Sequence, residues 1–498
     1  MLTRRQLLLA SAGAATAGGA ALLSLARGSS SSAETPHADH LGHGDHLLGH
    51  QTGAGADPAA PATTPFTERM PVPPVLAPVS TSSGVDVYQL PIHPADVEII
   101  PGLRTPAMTY GGHFVGPTIR ARTCRPVKIT FANQLTVPAN VHLHGGHVPA
   151  SSDGHPMDLI APGAAREYDY PNSQRGGTLW YHDHTHGLEA DHVYRGLHGF
   201  YLIEDNAERH LRLPGGEYDV PIMLRNGQFD ANGAFVFGLP EDRHTVLVNG
   251  KSQPYFPVAP RKYRFRLLNS ALKHVFRLNI GGQKMTRIAS DGGLLPEPVE
   301  ADEMVLSSGE RVEIVVDFAA HRGKGPLYLH DGDTPILRFD VAPDRVADHS
   351  RLPDRLRPLP PLGVPAVERT VTMGFVDMSV RPPVGHVNGR PYDHDRVDVQ
   401  VKRGATEIWN VVNADLDPAF LFDHPFHVHL VQFRVIGRDG GPPSPDDAGL
   451  KDTVYVAPKG SVRVQITFDT PYTGKYVYHC HYLEHSALGM MATMEVVP

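Results

Sequence analysis

Eight histidines of the chain fall into four H-x-H pairs: His142/His144, His182/His184, His427/His429 and His479/His481. One such pair carries no information, because 30 histidines in 498 residues give roughly two by chance. Five pairs occur, and these four lie at equivalent positions in strand-like segments. Residues i and i+2 of a strand share a face, so each pair offers two imidazoles on one side. Satisfied core histidines would explain any single pair. Four together point to a metal cluster, provided that the two parts of the chain abut. Cys480 stands between His479 and His481, and strand alternation turns it to the opposite face. His485 and Met490 follow it, and His424 precedes the third pair. Two imidazoles, a thiolate and a weak axial thioether form the ligand set of a blue-copper electron-transfer centre. One tripeptide is therefore expected to serve two metal sites, with Cys480 passing electrons through the backbone of His479 or His481.

The elements that must position these residues read as strands. "VKITF" (Val127, Ile129, Phe131), "RVEIVVDF" and "SVRVQITF" all show period two. They also belong to an internal repeat. "RPVKITFANQL", "RKYRFRLLNSA" and "GATEIWNVVNA" carry Asn133, Asn269 and Asn413 at matching ends, at spacings that suit three copies of one β-domain. "GTLWYHDH" aligns without gaps on "GKYVYHCH", whereas the middle copy reads "GPLYLHDG" and has only His330. The outer copies hold the ligands, and the middle copy holds none.

Gly 49 and Pro 46 with few aromatics favour an all-β architecture. A net charge of −8 with no long basic run argues against a nucleic-acid partner. The N-terminus has paired Arg4 and Arg5 before a weakly apolar stretch rich in Ala and Gly. It reads as a twin-arginine-type signal over residues 1–33, of the kind that exports folded protein, rather than a membrane anchor. Residues 34–75 are rich in His, Pro and Gly, which predicts a flexible linker with loose metal-binding capacity at most. Cys124, the second of two cysteines, reads as a small buried hydrophobe beside a strand.

"HLHGG", "WYHDH", "HPFHVH" and "HCHYLEHSALGMM" resemble, in order and spacing, the four copper signatures of multicopper oxidases. The likeness runs from about residue 80 to the end and is nearest to three-domain bacterial laccases of the spore-coat and bilirubin-oxidase type. It implies three consecutive cupredoxin-like Greek-key β-sandwich domains over residues 76–210, 211–345 and 369–498, with a Pro-rich linker at 346–368. It implies four copper ions: type 1 on His424, Cys480 and His485 with Met490 axial; type 2 on His142 and His427; and a type 3 pair on His144, His182, His184, His429, His479 and His481. Asp153 matches an acid that the family places near the trinuclear cluster, although "SSDG" is also an ordinary turn. His186 extends "HDHTH" to a triple, but the family pattern selects His182 and His184. Many relatives carry a second acid just after the last type 1 histidine. Here that residue is Ser486, while Glu484 precedes His485.

The expected activity is that of a secreted, monomeric laccase-like oxidase. It would take single electrons from phenols, aromatic amines or bilirubin and reduce dioxygen to water, with no membrane association once the signal is cleaved. Alternatives are a Cu(I), Fe(II) or Mn(II) oxidase, a copper nitrite reductase, and a non-catalytic copper-binding protein. The 12 methionines are scattered rather than gathered near the type 1 ligands, which weakens the first of these.

Overall fold

A computed structural model describes residues 62–498. The signal segment and most of the His-rich linker lie outside the described residues. No helix among the described residues is long and apolar enough to cross a membrane.

One strand pairing occurs three times along the chain. In each domain a first strand pairs in parallel with the strand that ends in the repeat asparagine. These pairs are Asp86–Val97 with Val127–Asn133, Asp219–Gly227 with Lys262–Asn269, and Val367–Phe375 with Thr406–Asn413. All three asparagines do the same work. Each side-chain amide donates to two loop carbonyls, and each side-chain oxygen accepts the N–H two residues on. Such an Asx turn satisfies backbone groups where the strand leaves its sheet. That shared task explains why the residue recurs.

The second sheet of each domain carries the other repeat. In domain 1 the strand Gly177–His182 lies between His142–His144 and His198–Glu204. In domain 3 Gly474–Cys480 lies between His424–Val428 and Met491–Val497. In domain 2 Leu327–Asp331 lies between Phe276–Asn279 and Thr334–Val341. Register sets His142 opposite His182, and His427 opposite His479. The matching pair in domain 2 is Asn279 opposite His330. Domain 2 has the frame of the site without its ligands.

Each domain has its own apolar core, and a further cluster joins them through Trp180 and Phe200, Met223 and Leu268, and Leu483. Burying such a side chain stabilises by about 1.5–3 kcal/mol, so the three domains hold one another in place.

Two expectations need correction. Residues 66–75, expected to be part of a flexible linker, are docked. Met70 N–H donates to Tyr255 O and Leu76 N–H to Thr118 O, and Met70 is buried in the domain 2 core. Composition missed this because the segment is held mainly by backbone bonds at open sheet edges. Cys124 is exposed rather than buried; it sits in a turn with φ 59° just after the strand Gly116–Arg122. The Pro-rich linker is strapped down by Leu356 in an apolar cluster and by Arg357, which pairs with Asp205 and Glu208 at 2.7 Å.

Candidate metal centre

The four histidine pairs come from two domains, and the structure gathers all eight rings. His144 stacks on His427, and His142 on His429, each at 3.7 Å between ring centroids. The Nε2 atoms of His184 and His479 lie 3.2 Å apart. Ligand nitrogens converge as His144, His182 and His481; as His184, His429 and His479; and with His142 and His427 alongside. Every group draws on both outer domains.

Most of the rings are aimed by a bond from their other nitrogen. His142 Nδ1–H donates to Asp153 O, His182 Nδ1–H to Asp183 O, His427 Nδ1–H to Asp452 O and His479 Nδ1–H to Cys480 O. His429 Nδ1–H donates to Asp153 Oδ2 at 2.7 Å, and His144 Nε2–H to Asp452 Oδ1 at 3.0 Å. A bond of this kind fixes the tautomer and leaves the remaining nitrogen as a lone-pair donor. The nitrogens left over have no protein partner: Nε2 of His142, His182, His427, His429 and His481, and Nδ1 of His144 and His184. Buried polar atoms are ordinarily paired, so this many orphans pointing together mark a place for metal ions. The residues present fit copper.

Burial pushes all eight imidazoles below their usual range, His182 and His479 to about 4. They are neutral near pH 7 and ready to ligate. In the unfolded chain they bind protons from about pH 6.5 downward, whereas in the fold all eight resist below that range, His182 and His479 until near 4. Their contribution to stability is therefore complete above about pH 6.5 and is lost as the pH falls towards 4. Thermal melts of the metal-free protein should show the melting temperature falling across that window, and copper loading should flatten the fall.

On the other face of Gly474–Cys480, Cys480 Sγ lies 3.6 Å from Nδ1 of both His424 and His485. Those two nitrogens are 3.1 Å apart. His424 Nε2–H donates to Asp415 Oδ1 at 3.1 Å, which fixes its tautomer. Met490 is fully buried in the same core cluster as Cys480, and its backbone O accepts the Cys480 N–H. Burial pushes the Cys480 thiol up, and a bound metal ion would reverse that by taking the thiolate. Of the two histidines, His485 is the one that approaches solvent, at 4% exposed against 0% for His424. The rings of Phe375 and Phe422 cover it at 5.0 and 5.6 Å.

Domain 2 takes part although it supplies no ligand. Buried Arg311 clamps both Asp452 oxygens, at 2.6 and 2.7 Å, and Asp452 orients His144 and His427. Ser308 Oγ–H contacts His481, and Gly309 has no room for a Cβ, which would stand 2.8 Å from the His481 ring.

Three multicopper oxidase family models match the chain, over residues 92–208, 219–325 and 363–498. A laccase of Bacillus stratosphericus is 34% identical over 87% of this chain and 99% of its own length. The chain is a multicopper oxidase. It is a copper-dependent oxidoreductase with dioxygen as electron acceptor. The bilirubin oxidase of Albifimbria verrucaria is also 34% identical to the oxidase, over 86% of this chain and 80% of its own. The crystal structure of a laccase from Pediococcus acidilactici superposes with a TM-score of 0.81 at 29% identity, covering 88% of this chain and 95% of that one.

The eight paired histidines of the oxidase converge in the cluster, and His424 and His485 meet Cys480, with Met490 buried in the same core. His186 packs against the Tyr392 ring. Glu484 forms an ion pair with Arg243 of domain 2 at 2.6 Å. Sequence reasoning missed Asp452, Arg311, Asp415, Ser308 and Glu189. Arg311 and Glu313 stand out as charges in an apolar strand, which is a usable signal. Asp452 and Asp415 look like loop acids.

Asp153 is the acid that touches the cluster most directly, through two histidines. Asp153→Ala frees His429 Nδ1 and is expected to lower copper retention or turnover by about 10–100-fold. Copper analysis after dialysis against a chelator, with turnover alongside, checks it.

Proposed function

We propose that the oxidase is of the laccase type and acts on phenols and aromatic amines, with bilirubin-like donors as a related class. In this reading four coppers are bound. His424, Cys480 and His485, with Met490 as a further ligand, would hold the type 1 ion, and His142 and His427 would hold the type 2 ion. His144, His182 and His481 would hold one type 3 ion, and His184, His429 and His479 the other. Bound copper supplies one-electron transfer at the first centre and four-electron reduction of dioxygen at the other three. The observation that carries the reading is the shared strand, in which Cys480 faces one ligand set while His479 and His481 face the other.

The protein's own part is to hold, cover and connect. Phe375 and Phe422 leave only an edge of His485 for a donor, so electrons enter without the donor reaching the sulfur. The peptides on either side of Cys480 lead directly to His479 and His481. Burial of the eight-histidine site keeps bulk water and large donors from the oxygen-reducing side.

The test is oxygen uptake by copper-loaded protein with a phenol, an aromatic amine, bilirubin or a cuprous complex. A phenol should be consumed at four electrons per dioxygen with four coppers per chain. Fully loaded protein that is silent towards phenols and amines but oxidises cuprous ion would overturn the substrate assignment. The same reading includes export by the twin-arginine segment and a monomeric state. N-terminal sequencing of secreted protein and light scattering check those two points.

A further inference from the structure

Helix α1 (Glu189–Arg195) follows the His182/His184 pair and packs on helix α2 (Leu483–Ala487), which carries His485. Glu189 opens α1 and is fully buried. Its N–H donates to Thr185 O at 2.9 Å, next to ligand His184. Its Oε1 accepts from Ser486 Oγ–H at 3.1 Å, next to ligand His485. Its Oε2 has no partner among the described residues. Glu189 thus lies on the seam between domains 1 and 3, tied to the residue after a ligand on each side.

Each of the other buried acids near the cluster holds a histidine or an arginine. Asp452 is clamped by Arg311, and Asp153 accepts from His429 through Oδ2, with its Oδ1 left without a partner among the described residues. Asp183 accepts the N–H groups of Asn140 and Thr185 and faces His192 Nδ1 at 3.0 Å. Glu189 has no cation within ion-pair reach among the described residues. The charged and titratable groups facing it are Asp183 from the end of the Gly177–His182 strand, His192 from its own helix and Tyr392 from domain 3. Asp183 is adjacent. Burial lowers the His192 imidazole, but the Asp183 carboxylate outweighs that effect and raises it.

We propose that Glu189 is the proton-bearing acid of this oxidase on the seam beside the trinuclear site, standing across the helix contact from Ser486. The proposal rests on the oxygen-reducing reading above. Burial, with Asp183 adding to it, pushes the Glu189 carboxyl up to about 8, so it holds its proton at neutral pH. Reduction of one dioxygen to two waters consumes four electrons and four protons. The organic donor supplies the electrons, each transfer from Glu189 breaks its O–H bond and leaves the carboxylate, and solvent reprotonates it before the next.

Infrared spectroscopy of the copper-loaded enzyme tests this without turnover. The pH difference spectrum should show a protonated-carboxyl C=O band that is present at pH 7 and lost with a midpoint near 8, and this component should be missing from Glu189→Gln. In that isosteric variant, copper content and anaerobic bleaching of the blue centre by a phenol should match wild type. Aerobic turnover should fall by about 100-fold or more. The double variant Glu189→Gln/Ser486→Glu should recover much of the loss, because the contact between the two positions is one hydrogen bond long. Wild-type oxygen kinetics in Glu189→Gln at every pH, persistence of that component in it, or failure of the moved acid to restore any turnover would overturn the proposal. Failure of the oxidase reading itself looks different: wild-type protein would take up no oxygen while its infrared band remained.

Discussion

Cys480→Ser is expected to bleach the protein and reduce phenol oxidation to background, with the fold intact. Cys480 is fully buried, and its sulfur is equidistant from the two ring nitrogens that complete the site. A serine oxygen is nearly the same size but does not supply the soft thiolate that this copper geometry selects. It also breaks the covalent route from sulfur to the His479 and His481 backbones. The structural cost is one buried hydroxyl, about 1–3 kcal/mol. That is less than the total stability of a domain, about 5–15 kcal/mol. Visible absorption, copper content, turnover and a thermal melt check the result. The cluster ligands are untouched, so three coppers per chain should remain. Phenol oxidation at the wild-type rate would remove Cys480 from the electron path.

Arg311→Met tests whether the domain without ligands governs the cluster. The guanidinium donates to both Asp452 oxygens and to the carbonyls of Thr178, Gly309 and Asp291. Arg311 is 1% exposed, and the Asp452 carboxylate outweighs the effect of burial to hold it charged. Removing it leaves buried Asp452 without its cation, at a cost of about 3–5 kcal/mol. Asp452 would shift or take up a proton, so His144 would lose the carboxylate that aims it and His427 would be disturbed through the Asp452 backbone O. Cluster copper should then bind about 10–100-fold more weakly, while the blue absorption of the separate Cys480 site persists. Chelator competition read against visible absorption separates the two centres. Equal loss of both would mean that the arginine holds up the fold in general and does not serve the cluster in particular.

Much of the candidate site was legible because metal ligation uses few residue types at rigid spacings. H-x-H on a strand forces two rings to one side, and H-C-H forces the sulfur to the other, whatever surrounds them. The repeat asparagines were legible for a similar reason, since one turn is made three times by the same residue. Residues that act by holding another residue were not legible. Asp452 matters because it meets Arg311, 141 positions away, and His144, 308 positions away. Glu189 matters because Ser486, 297 positions away, caps it. Neither stands at a spacing that separates it from an ordinary surface acid. Residues 66–75 were misjudged because edge pairing is a property of a neighbour's backbone, which composition does not contain.

The sequence by itself determined the all-β architecture, the eight paired imidazoles, the ligand-type residues around Cys480 and their absence from the middle of the chain. These follow from alternation along a strand, a geometry that is local and nearly invariant. Only the tertiary structure decided which rings converge, which histidine nears solvent, and how domain 2 enters the site. Those depend on how three separately folded cores dock. Docking is set by apolar area and buried ion pairs between residues that are remote along the chain.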